Sequence, residues 1–174
     1  VGAEQAVASV ATCAVMSVRS AVIIASGFGE TGAAGKEMEA HMLQRAQRSG
    51  MRLFGPNTRG LANFGSGTIA GFSTMFTEVP PLDGPIGIIS QSGGMSAMTY
   101  GLLRGLGLGV RHVHATGNEA DVQVGEMALA VPLDPEIPLL PLDLANTANP
   151  DMLAQDRASL YLNRAASVQS VRLW

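Results

Sequence analysis

The sequence predicts an α/β fold made of two tandem parallel-sheet units, and three observations carry that expectation. Apolar runs of four to six residues recur at 22–25, 51–54, 86–89 and 110–115, too short for helices and bounded by glycine-rich turns. Segments of helical period lie between them, giving the β-α-β order that a parallel sheet with helical crossovers requires. A stretch holding Pro80, Pro81 and Pro85 then excludes regular structure over 78–85, and the same rhythm restarts beyond it. The expected domains are 1–79 and 84–174.

In chain order, the Ala- and Val-rich residues 3–17 form a helix packed on a sheet, and 22–25 form the first strand. After the turn at 27–32, Met38, Met42 and Ala46 recur at four-residue spacing, a helix that Gly50 closes as its C-cap. The strand 51–54 ends in Gly55-Pro56-Asn57. In the second unit a strand at 86–89 leads into a helix at 92–106, a strand at 110–115, a loop at 117–121 and a helix at 122–130. A strand at 137–142, weakened by Pro138 and Pro141, a helix at 150–165 and a strand at 168–173 complete the expectation.

Composition narrows the function. A hydrophobic fraction of 47% suffices for a core, while a net charge of −3 with 11 Lys and Arg argues against non-specific nucleic-acid binding. No run has the length and apolarity of a membrane span. Cys13 is the single cysteine, which excludes a disulfide framework and points to a reducing cytoplasm. The chain begins at Val1 rather than Met and reads as a piece of something longer.

Ile86-Gly87-Ile88-Ile89-Ser90-Gln91-Ser92-Gly93-Gly94 is the most informative segment, because a buried strand empties into a Ser- and Gly-rich turn where a helix begins. Unpartnered helix-start N–H groups and about half a positive charge from the dipole make such a turn an anion site. It also has the outline of a nucleophile elbow around Ser92. That chemistry needs an acid and then a His after the serine, and no His follows His114. Gly27-Phe28-Gly29-Glu30-Thr31-Gly32 matches G-x-G-x-x-G, yet Glu30 would repel a pyrophosphate and Gly55-Pro56-Asn57 stands where a ribose-binding acid belongs. Asn57 and Thr58 follow a strand's carboxyl end, the place where open α/β sheets bind ligands, although a plain tight turn uses the same residues. His112 and His114 share one strand face without an evident third metal ligand, and His41 is a solvated helix residue. Asn118, Glu119 and Asp121 either cap the next helix or bind a cation.

The ordered set GFGETG, GPNTRG, GPIGIISQSGG and TGNEADV resembles the NDP-forming acyl-CoA synthetases, relatives of the succinyl-CoA synthetase α subunit, over residues 18–134. The single-polypeptide branch with acetate- and feruloyl-type CoA ligases is the most similar. The resemblance implies a partial Rossmann-like CoA-binding domain followed by a flavodoxin-like ligase domain. It implies that Ser26, Gly27, Phe28 and Glu30 line the CoA site and that Asn57 lies near the CoA thiol and acyl group. Ser92, Gly93 and Gly94 would hold a phosphoryl group carried by a histidine, and Asp143 stands where the family has a glutamate that steadies that histidine.

The implied reaction uses ATP or GTP to phosphorylate the histidine, forms an acyl phosphate from a small carboxylate, and releases the thioester when CoA displaces phosphate. ATP and Mg would be held by an ATP-grasp domain or subunit outside this chain, and the phosphohistidine loop is expected beyond Trp174. The piece is therefore expected to be silent by itself. Residues from Pro138 onward drift from the family pattern. The expected partners are CoA, the carboxylate and the ATP-grasp portion, with neither nucleic acid nor membrane, and uncovered sheet faces favour a homo-oligomer. The competing reading from another class is a non-catalytic CoA-sensing or scaffold module of a larger protein such as an acyltransferase fusion.

Overall fold

Two sheets, each with its own hydrophobic cluster, make up the computed structural model, which describes residues 1–131 in full and the backbone of 139–141, 161–164 and 170–172. The first unit holds α1 (Ala3–Val15), β1 (Ser20–Val22), α2 (Ala33–Arg48) and β2 (Arg52–Phe54), with β1 and β2 parallel. In α1 the buried pair Ala6 and Val10 sits one turn apart, and in α2 Met42 and Ala46 do the same. Both stripes close on Phe28, Met51 and Leu53. α2 stops where predicted: Gly50 takes φ 73° and Met51 N donates back to Ala46 O at 2.9 Å, satisfying a carbonyl of the last turn.

β1 lies two residues earlier than the apolar run 22–25 suggested. Its register pairs Val22 with Phe54, and one more bond follows from Ile23 N to Phe54 O. Beyond that the regular ladder breaks, because Pro56 carries no N–H and Gly55 turns the chain at φ 106°, and a single bond resumes from Asn57 N to Ala25 O at 2.9 Å. Ile23 is buried and Ile24 exposed, so the apolar run extends past both the regular pairing and the core.

The second unit contains β3 (Gly60–Asn63), β4 (Thr68–Gly71), α3 (Met75–Glu78), β5 (Ile86–Ser90), α4 (Gly93–Gly105), β6 (Val110–Ala115) and α5 (Val124–Ala130), followed by β7 (Leu139–Pro141), β8 (Tyr161–Arg164) and β9 (Ser170–Arg172). The strand order is β4-β3-β6-β5-β8-β9-β7. β5 and β6 are parallel, as are β7 and β9, whereas β3 runs antiparallel to β4 and to β6, and β8 antiparallel to β5 and β9. The α/β expectation holds, with a mixed second sheet in place of a wholly parallel one. β8 also stands inside the span 150–165 expected to be helical.

The hairpin β3–β4 was not anticipated. Its signal was present in Gly65-Ser66-Gly67 between two short segments, and Asn63 Oδ1 accepts from Ser66 N at 3.2 Å to fold the turn. Because β3 pairs with β6, residues 60–79, expected in the first unit, are hydrogen-bonded and packed into the second. The proline stretch is fastened there too: Tyr100 Oη donates to Val79 O at 2.9 Å, Val110 N to Leu82 O at 2.8 Å, and Arg111 pairs with Asp83. Phe64, Phe76 and Tyr100 form an edge-to-face trio beneath it, with Phe76 5.1 and 5.3 Å from the other two rings. On one face of β5, Ile86 and Ile88 pack toward α4, and on the other Ile89 packs with Val124, Ala128 and Val131. No helix among the described residues is long and apolar enough to cross a membrane.

Candidate functional site

The four glycine-bearing motifs meet at the junction of the two units. The loop after β6 runs along the end of β2 like an added strand, with Val122 N, Ala120 N and Asn118 N donating to Leu53 O, Gly55 O and Pro56 O at 2.9–3.1 Å. Gly117 permits this approach. It sits at φ 70°, and a Cβ built there would stand 2.3 Å from Pro56 O. Asp121 locks the junction by accepting from Leu53 N and Arg52 Nε, and Arg52 makes a forked pair with Glu126 at 2.8 Å. The Glu119 carboxylate accepts from Val124 N at 2.9 Å, so it caps α5 as one of the two sequence readings had it. No group of three or more His, Cys, Asp or Glu among the described residues is arranged for a metal.

Asn118 is the hub. Its Nδ2 donates to Glu30 and, at 2.9 Å, to Glu39, and its Oδ1 accepts from Asn57 Nδ2 at 3.2 Å. Three motifs far apart in sequence are thus tied through one amide. Glu30 also accepts from Gly27 N at 2.6 Å and Phe28 N at 3.2 Å, and Glu39 from Gly29 N at 3.1 Å. Burial pushes the Glu30 carboxyl up, but its bonds from Asn118, Gly27 and Phe28 outweigh that and hold it below the ordinary carboxylate range. Three successive amides of the G-x-G-x-x-G turn are therefore taken by the protein's own carboxylates. A pyrophosphate would find those three donors occupied and two carboxylates facing it, which is the structural form of the objection to a dinucleotide site.

The Phe28 ring is fully buried in the cluster that holds Met42 and Leu53, so its side chain packs in the core. Ser26 is exposed, and Gly27 is half-buried with its amide committed to Glu30. Asp143 lies outside the described residues.

The start of α4 has the opposite character. Ser92 is its N-cap, with φ −84°, ψ 123° and Oγ accepting from Met95 N at 3.3 Å. Ser90 Oγ braces the turn from beneath by accepting from Ser92 N and donating to Ser92 O. The amides of Gly93 and Gly94 have no partner among the described residues. They open on a polar cleft of about 420 Å³ that Glu30, Asn57, Arg59 and Asn118 line from across the junction. Gln91 reaches over to Gly117 O at 2.6 Å, fixing the floor. Asn118, Gln91 and Arg59 were not chosen as site residues from the sequence, since each is an ordinary polar loop residue until the loops are brought together.

Neither His serves Ser92 as a base. His114 Nε2 and His112 Nδ1 lie 3.3 Å apart on one face of β6, and the Ser92 hydroxyl is used as a cap. Burial, with a lesser contribution from His112, pushes His114 down to about 4, so it is neutral at pH 7. A hydrolase reading of Ser92 is left without its general base among the described residues.

Residues 83–158 match the family described as the succinyl-CoA ligase like flavodoxin domain. That stretch begins at the proline linker and takes in β5, the open start of α4 and the Asn118 loop. This part of the chain is similar to succinyl-CoA ligase-like flavodoxin domains. The chain as a whole is similar to the α subunit of an ADP-forming acetate–CoA ligase I from Pyrococcus furiosus, 36% identical over 66% of this chain and 24% of the relative. It is also similar to an ADP-forming acetate–CoA ligase II from Archaeoglobus fulgidus, 37% identical over 65% of this chain and 17% of that protein. The apo dinucleotide-forming acetyl-coenzyme A synthetase 1 of Ca. Korarchaeum cryptofilum superposes with a TM-score of 0.69 at 28% identity, over 80% of this chain and 29% of that one. The chain thus spans a quarter or less of the length of these curated relatives. The matched stretch supplies the α4 side of the cleft, and Asn57 and Glu30 reach it from outside the family match.

Proposed function

We propose that this chain is part of an NDP-forming acyl-CoA synthetase, which makes acyl-CoA thioesters from a small carboxylate, CoA and ATP through an acyl phosphate and a phosphohistidine. One observation carries the reading beyond the family match: unengaged amides of Gly93 and Gly94 face Asn57 across a cleft of about 420 Å³. A phosphoryl group at the helix start would meet donors already aimed at it, so its charge is stabilised without reorganisation. Asn57 is held at φ 55° by the turn and anchored by Asn118, which suits it to orient the CoA thiol and acyl carbonyl beside that phosphoryl group. Exposed Ser26 and the backbone at Gly27 form the outer wall for CoA, with Glu30 holding the loop shut. An ATP-grasp domain or subunit supplies ATP, Mg and phosphoryl transfer.

Calorimetric titration of the chain with CoA tests this reading. The expectation is saturable binding that weakens about tenfold in Asn57→Ala, a loss of about 1.4 kcal/mol. Equal CoA affinity in the wild type and Asn57→Ala would remove Asn57 from the site, and no binding by the wild type would sink the reading.

A further inference from the structure

Among the described residues one cation lines the cleft, the exposed Arg59. Its backbone is firmly set. Thr58 before it is buried with Oγ1 bonded to Ala115 O, Gly60 N donates to that same Oγ1 at 2.8 Å, and Arg59 O accepts from Phe72 N. The side chain then crosses the junction and lies over the first residue of α4. A Cβ built on Gly93 would stand 2.7, 2.9 and 3.2 Å from Arg59 Cγ, Cδ and Nε, so glycine at 93 leaves the room that this stem occupies.

Other arginines of the second unit and the junction have evident work. Arg52 pairs with Asp121 and Glu126, Arg111 with Asp83, and Arg104 donates to Pro80 O and Leu108 O. Arg59 has no carboxylate or carbonyl partner among the described residues. Glu30, the carboxylate that lines the same cleft, is committed to Gly27 N, Phe28 N and Asn118. Glu30 offsets the charge of Arg59 in the cleft, so what Arg59 adds there is a fork of uncommitted donors.

We infer that Arg59 binds the phosphoryl group at the α4 start, closing a guanidinium over the anion from the side opposite the Gly93 and Gly94 amides. The inference rests on the functional reading above and adds a residue to it. Donor number favours phosphoryl over carboxylate, because a carboxylate offers two oxygens and a phosphoryl group three. The planar fork of N–H donors can take two phosphoryl oxygens while the amides take a third.

The test is titration of the full chain with inorganic phosphate, acetate and CoA in separate arms, in the wild type, Arg59→Gln and Arg59→Lys. The expected result is phosphate binding that falls at least tenfold in Arg59→Gln and less in Arg59→Lys, with CoA affinity kept. Unchanged phosphate affinity in Arg59→Gln overturns the role of Arg59 while leaving CoA binding to stand. Loss confined to the acetate or CoA arm overturns it in favour of another ligand. A wild type that binds CoA but no phosphate overturns the inference alone, and one that binds neither overturns the functional reading as well.

Discussion

Two strand-loop-helix passages in this chain look alike on paper and differ in what they leave free. GFGETG, between β1 and α2, turns three of its amides onto Glu30 and Glu39 and packs its backbone against the start of α2. SQSGG, between β5 and α4, caps its helix with Ser92 and keeps the next two amides open to a cleft. Glycine in the first passage serves close packing, and in the second it keeps a helix start accessible. Acidic residues decide the difference, since a carboxylate supplied by the chain removes the donors that a phosphate would use.

The largest expected effect comes from breaking the packed passage. A Cβ at Gly35 would stand 1.9 Å from Phe28 O, so Gly35→Ala should destabilise the protein by about 3 kcal/mol or more in urea unfolding. Gly101→Ala in α4 meets nothing within 4 Å and should stabilise by about 1 kcal/mol, so equal responses at the two sites would erase the contrast.

Acid should strike the second unit first. His114 is buried there with its Nδ1 unpartnered, whereas His41 of the first unit is exposed. With its folded value pushed from 6.5 down to about 4, the unfolded chain binds the proton more readily. Stability is therefore full above about pH 6.5 and falls as the pH drops toward 4, by about 3 kcal/mol in total. Unfolding followed at pH 7 and pH 4.5 should show this loss in the wild type and a flatter profile in His114→Gln. An equally steep variant would move the acid sensitivity elsewhere.

A smaller effect sharpens the other half of the comparison. Ser92→Ala removes the α4 cap and should cost about 1 kcal/mol by thermal unfolding. Thr31→Ala near α2, whose N-cap Gly32 makes no side-chain bond, removes no such cap. Thr31→Ala loses instead the bond that Thr31 Oγ1 donates to Phe28 O at 2.8 Å, and unchanged stability in Ser92→Ala would remove Ser92 as the cap.

Much of the architecture was legible because periodicity and turn chemistry are local. Met42 and Ala46 announced the buried face of α2, Gly50 its end, and the uninterrupted apolar run at 86–89 a strand buried on both faces. The hairpin at 60–71 was legible in principle from its Gly-Ser-Gly turn, but its attachment to β6 was not, since strand partners far apart in sequence leave no local mark. Phe28 shows the same limit at the site. A motif position suggested a ligand wall, and only packing revealed that the ring points into the core.

The sequence by itself determined the α/β class, the order β1-α2-β2 and β5-α4-β6, and the Ser- and Gly-rich start of α4, because helix caps, glycine turns and apolar period act over a few residues. Tertiary structure alone decided which loops face one another. Asn118 joining Glu30, Glu39 and Asn57, and Arg59 lying over Gly93, depend on contacts between residues 34 to 88 positions apart. Their side chains acquire a role when the β6 loop docks on the end of β2, where backbone hydrogen bonding and the Arg52–Asp121 pair set the two units against each other.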